Sequence, residues 1–110
     1  MAEDSKFKIE DIKVGDGDEV TGGDYITIHY HGTLEDGSVF DSSYERGAPF
    51  KTRIGVGEVI EGWDMGVPGM KKGGKRKLTI PAKLAYGDNE VGSIPAGSTL
   101  IFEVELVSLD

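Results

Sequence analysis

Asp41 and Arg46 lie five residues apart in a polar stretch beside Phe40, a spacing at which a carboxylate and a guanidinium can pair across a turn. The plainest use of such an acid is to pair or to cap the loop. An aspartate held beside an aromatic pocket also presents a fixed negative charge to a bound amide, and the two uses are compatible. The aromatic company is what makes a pocket the expectation: Tyr30, Phe40, Phe50, Trp63, Tyr86 and Phe102 are most of the aromatic residues in the chain. So many rings in so small a domain fit the lining of an apolar ligand site better than a solid core. Trp63, the lone tryptophan, serves equally as a core anchor.

Other chemistry is poorly supported. His29 and His31 alternate onto one face of a strand, as a metal pair would, but a closed site needs further ligands and there is no third histidine. Their face is opposite that of Tyr30, which makes them surface or rim residues. The basic run from Lys71 to Lys77 resembles a nucleic-acid patch, but it surrounds Gly73 and Gly74 and leads into an alternating strand, as a solvated turn does. Gly55-Val56-Gly57 lacks the third glycine of a dinucleotide loop, no Gly-x-Ser-x-Gly is present, and Val20 stands where a calcium loop needs another oxygen.

The bulk composition agrees. A formal net charge of −8 disfavours nucleic acid and anionic membrane as main partners. The absence of cysteine excludes disulfides and thiolate chemistry. Residues 1–5 are polar and acidic where a secretory leader needs a basic start and an apolar run, so a cytoplasmic protein is expected, with the nucleus second. At 110 residues one domain is expected, with residues 1–6 as a flexible lead.

The elements that must position the rings are short. Phe7, Ile9, Ile12 and Val14 read as a half-exposed edge strand. Over 25–31 the alternation puts Ile26, Ile28 and Tyr30 on one face. Asp36-Gly37 predicts a hairpin with a two-residue turn, residues 42–49 a loop or bulge, and 50–54 a return to the sheet. The one predicted helix spans 58–65, with Glu58 in its first turn and Val59, Ile60, Trp63 and Val67 along one face. Ile60 then falls where a backbone N–H has no partner within the helix and is free for a substrate carbonyl. Strands are predicted over 77–81 and 99–109, and the glycine-rich stretch 85–98 between them is long enough to be a binding loop. Together these give an α+β fold: an antiparallel sheet of about five strands with one short helix on its concave face.

These residues also carry a family resemblance. His29-Tyr30-His31-Gly32-Thr33-Leu34-Glu35-Asp36-Gly37 with Phe40-Asp41-Ser42-Ser43 resembles the first signature block of the FKBP-type peptidyl-prolyl isomerases. Glu58-Val59-Ile60-Glu61-Gly62-Trp63, Leu78-Thr79-Ile80-Pro81, Ala85-Tyr86-Gly87, Ile94-Pro95 and the run from Leu100 to Leu106 continue it in order, over about 12–109. The resemblance implies a bent sheet around a short helix, isomerisation of X-Pro bonds without cofactor or metal, binding of tacrolimus and rapamycin, and a monomer. It implies catalytic roles for Tyr30, Phe40, Asp41, Ile60, Tyr86 and Phe102. The remaining ligand contacts would come from Arg46, Phe50, Glu58, Val59, Ile94 and Trp63, with Trp63 as the pocket floor. The chain departs from the family's small members at Ser93, and its 86–102 segment is about one residue shorter, which bears on substrate preference. The rival reading is a scaffold that captures proline-containing partners with little turnover.

Overall fold

Alternating β-branched and aromatic residues set the sheet, and glycines at positive φ set its corners. A computed structural model describes residues 7–110, so the expected flexible lead at 1–6 lies outside it. Six strands run as β1 (Lys8–Lys13), β2 (Tyr25–Leu34), β3 (Val39–Ser42), β4 (Phe50–Arg53), β5 (Lys75–Ile80) and β6 (Leu100–Leu109). All pairings are antiparallel, in the order β1-β5-β6-β2-β3, with β4 also on β2. The sixth strand arises because β3 and β4 share one edge of β2: β3 pairs with residues 31–33 and β4 with 25–28.

Between these half-strands the expected loop winds into a one-turn helix, α1 (Ser43–Arg46), closed by Gly47 at φ 72°. Only glycine adopts this left-handed cap at little cost, so the chain can turn back at once toward β4. The β2–β3 hairpin also differs from expectation. Its turn bond runs from the Gly37 N–H to Leu34 O, and Leu34 N–H reaches Ser38 O, so the loop has three residues rather than two. Gly37, at φ 90°, is the bulge residue that follows a type I turn.

The longer helix, α2, spans Glu61–Gly66, later than predicted. Ile60 is its N-cap in extended conformation, and residues 55–57 form a turn and 58–59 a bend instead of a first helical turn. Gly62 explains how so short a helix sits so close to the sheet: a Cβ there would lie 2.5 Å from the Ile80 side chain. Trp63 and Val67 are buried beneath it, as the spacing predicts.

The core joins the inward positions of β2, β5 and β6: Ile26, Ile28, Leu78, Ile80, Leu100 and Leu106 are fully buried. No helix among the described residues is long and apolar enough to cross a membrane. The basic run is a turn leading into β5, with Gly73 at φ 88° and its N–H on Leu106 O.

Candidate functional site

Where α2 crosses the concave face, the side chains stop short of filling the space. An open cavity of about 410 Å³ remains, lined by rings from four strands, the helix and the loop that carries Tyr86. Trp63 is only 4% exposed and is met edge-on by Tyr30 and Phe102, each with its ring centroid 5.3 Å away, and by Phe50 at 6.1 Å. Phe40 stands at 88° to Phe102, 5.4 Å away. These T-shaped contacts brace Tyr30, Phe50, Trp63 and Phe102 against two or three other rings each and Phe40 against one, so the walls are rigid without the cavity being full.

One rim is polar. The Tyr30 hydroxyl donates to Asp41 Oδ2 at 2.6 Å, Arg46 Nη1 donates to Asp41 Oδ1, and Arg46 Nη2 donates to the Tyr30 oxygen at 2.8 Å. The guanidinium also lies 5.4 Å over the Tyr30 ring. Burial and the hydrogen bond to Asp41 push the Tyr30 phenol above its ordinary value of 10.0, although Arg46 pulls it down. The neutral phenol therefore persists through physiological pH.

Opposite this rim, residues 55–60 arch over the cavity and are tied to α2 by one carboxylate. Asp64 Oδ1 accepts from Gly55 N–H at 2.7 Å and Oδ2 from Gly57 N–H at 2.9 Å. Gly55 and Gly57 have φ of 85° and 83°, so the arch depends on glycine at both places. The Ile60 carbonyl accepts from Trp63 and Asp64, while its N–H makes no hydrogen bond to any described residue.

Comparison with known proteins now assigns the family. The family profile described as FKBP-type peptidyl-prolyl cis-trans isomerase matches residues 17–107. The chain belongs to that family. It is 60% identical over 87 residues to FK506-binding protein 2 of Debaryomyces hansenii, a match covering 79% of this chain and 64% of that protein, so it spans less than two thirds of that relative. It is 54% identical to an FK506-binding protein of Neisseria meningitidis serogroup B, over 92% of this chain and 94% of the relative. The crystal structure of AtFKBP13 superposes with a TM-score of 0.89 at 47% identity, covering 94% of this chain and 93% of that one.

In this FKBP-type chain, ten of the twelve residues expected at the site line the cavity: Tyr30, Phe40, Asp41, Phe50, Glu58, Val59, Ile60, Trp63, Tyr86 and Phe102. Arg46 reaches it only through Asp41 and Tyr30. Ile94 is packed in the core, 6% exposed, in a bridge with Val91, and is not part of the lining. Glu58 is outside the helix, and its carboxylate accepts from the Thr52 hydroxyl and the Arg53 N–H rather than serving the first turn. His29 and His31 face away from Tyr30; His29 stacks on Tyr44 with centroids 4.5 Å apart, and its Nδ1 meets Ser43 Oγ at 2.8 Å. Among the described residues no group of three or more His, Asp or Glu side chains is placed to hold a metal ion.

Sequence reasoning missed three positions. Gly57 lines the cavity and Asp64 holds its arch, and two closely spaced glycines ahead of a helix-borne acid were the available signal. Gly32 is the third: a Cβ there would meet Phe40 Cζ at 2.6 Å and Phe102 Cε1 at 2.9 Å. Both rings line the cavity, so this glycine sets its width. Gly32→Ala should remain folded but displace the two rings, weakening proline-peptide affinity by about tenfold, roughly 1.4 kcal/mol. Calorimetric titration checks this, and unchanged affinity in a folded variant would show that the two rings do not set the cavity's width.

Proposed function

We propose that this chain isomerises X-Pro peptide bonds by a non-covalent route in the aromatic cavity, and that tacrolimus and rapamycin compete for the same space. The observation that carries the reading is an open, ring-braced cavity of about 410 Å³ floored by Trp63, with one polar rim and an Ile60 N–H that has no partner among the described residues. The names of the FK506-binding relatives support the macrolide part.

Rotation about a peptide bond meets a barrier of about 18–20 kcal/mol because resonance gives the C–N bond partial double-bond character. Planarity is favoured by charge separation, which water stabilises and an apolar cavity does not. A pyrrolidine ring held among Trp63, Phe50, Phe102 and Tyr30 leaves water, and the bond in front of it loses part of what keeps it flat. The Ile60 N–H takes one substrate carbonyl and the Tyr86 hydroxyl a second, fixing the chain on either side of the rotating bond. Asp41, anchored by Tyr30 and Arg46, directs its charge at the twisting amide. No proton transfer and no cofactor are required.

The test is cis-to-trans exchange of a short Leu-Pro or Phe-Pro peptide, followed by a protease-coupled assay with and without rapamycin. Acceleration that saturating macrolide abolishes is expected. Full activity at saturating macrolide would move the chemistry elsewhere, and tight peptide binding without acceleration would favour the scaffold reading.

A further inference from the structure

The prolyl cavity does not end at its arch. Glu58, one of its walls, also lines a second open cavity of about 510 Å³ at the outer edge of β4, together with Tyr25, Ile26, Lys51, Thr52, Arg53 and Asp110. Among the described residues β4 pairs with β2 alone, so its other side is a free sheet edge. Which groups point outward follows from the ladder. Ile54 N–H donates to Asp24 O, so positions 50, 52 and 54 turn their polar backbone groups toward β2, and 51 and 53 turn theirs away. The outward N–H of Arg53 is occupied by Glu58 Oε1 at 3.1 Å. Lys51 presents both its N–H and its C=O outward without a partner among the described residues.

The side chains at this edge add a charge preference. Arg53 Nε donates to Gly23 O at 2.9 Å and its guanidinium lies 5.3 Å over the Tyr25 ring, with no ion pair among the described residues. Lys51, two residues away on the same face, forms no ion pair among the described residues. Two carboxylates share the cavity: Glu58 accepts from Thr52 and Arg53, and Asp110 accepts from the Thr27 and Ser108 hydroxyls at 2.7 and 2.8 Å, bonds that with the nearby Lys51 ammonium hold its carboxyl below its ordinary value. In a chain of net charge −8, two cations with no carboxylate within ion-pair distance among the described residues stand out beside the cavity.

We propose that the polypeptide flanking the proline docks along the outer edge of β4 as an added strand, bonded to the backbone of Lys51, and that Lys51 and Arg53 select an acidic side chain on it. This deepens the isomerase reading and rests on it for the identity of the occupant. Free edge groups supply affinity for any extended chain, whereas the cations supply the choice among chains.

The test uses three substrates: a short uncharged Leu-Pro tetrapeptide, and two longer peptides with the same centre flanked on both sides by Glu or by Lys. The Glu-flanked peptide should show about a fivefold higher kcat/KM than the Lys-flanked one at low salt. Lys51→Glu with Arg53→Glu should reverse that order while leaving the tetrapeptide unchanged. Lys8→Glu with Lys71→Glu, an equal change of net charge at exposed sites away from the edge, should preserve it. Lys51→Pro, which deletes the outward N–H, should weaken both long peptides relative to Lys51→Met. The same preference in both double variants would overturn the proposal. If the wild type fails to turn over even the tetrapeptide, the isomerase reading fails by itself, and peptide affinities from Trp63 fluorescence decide the subsite in the same way. Concentration-dependent dimerisation lost in Lys51→Pro would assign the edge to a second copy and also overturn it.

Discussion

Trp63→Ala should melt about 15 °C or more below the parent chain and lose macrolide affinity by thirtyfold or more, on the order of 2 kcal/mol. The indole is 4% exposed and braces Tyr30, Phe50 and Phe102 edge-on, so its removal leaves a void between α2 and the sheet and frees three cavity walls at once. Deleting a buried tryptophan costs about 3 to 5 kcal/mol. Trp63→Phe separates the two effects. The indole Nε1–H is buried without a partner among the described residues, so exchanging the ring for phenyl removes that penalty along with some contact area. Its stability should fall far less than that of the alanine variant, while affinity should still drop because the floor is lowered. Thermal unfolding and calorimetric titration on both variants provide the check. Parent-like affinity in a folded Trp63→Ala would remove this residue from the site.

The sheet was readable because its pattern is local. Alternation at 26, 28 and 30 and again at 100, 102, 104 and 106 requires only that one face be dry, and those positions are buried. The helix start was misread because Glu58 and Val59 suit a first turn by type, whereas the positive φ of Gly55 and Gly57 and the grip of Asp64 on both N–H groups hold that segment in turns. α1 was invisible for a related reason. A single turn has almost no periodicity to display, and Ser43–Arg46 is held by its Oγ contacts to the Tyr30 backbone and by the Gly47 cap, which are tertiary and conformational facts. The cavity rings were legible as a set because strand phase assigns faces. Ile94 was placed by family match alone, and no local pattern in its loop distinguishes core from lining. Gly32 shows the opposite limit: its importance lies in two rings that approach it from β3 and β6, neither adjacent to it in sequence.

For Asp41, the expectation is that Asp41→Val lowers kcat/KM by about ten- to a hundredfold while the melting temperature changes little. The Arg46–Asp41 pair is open to water, with side chains 48% and 43% exposed, and pairs of this kind add little to folding. A carboxylate that merely shaped the loop would show the reverse, a lower melting point with catalysis intact. Asp41→Asn, which retains an acceptor for the Tyr30 hydroxyl but removes the charge, should resemble Asp41→Val in rate, and Arg46→Met should lose less because the charge remains. The pH profile tests the same assignment. A proline substrate has no proton at the rotating nitrogen, so general-base chemistry has nothing to act on. Tyr30 stays neutral because burial first, and its bond to Asp41 second, raise its pKa above 10.0. That raised value also fixes the sign of its effect on folding: the contribution is complete below about pH 10 and is lost as pH climbs through the raised pKa. Across about pH 6 to 8 the phenol and the guanidinium keep their charge states, and His29 and His31 face away from the cavity. A nearly flat kcat/KM over that range is therefore expected. A steep single-group titration there that disappears in Asp41→Asn would replace the electrostatic role with acid–base chemistry.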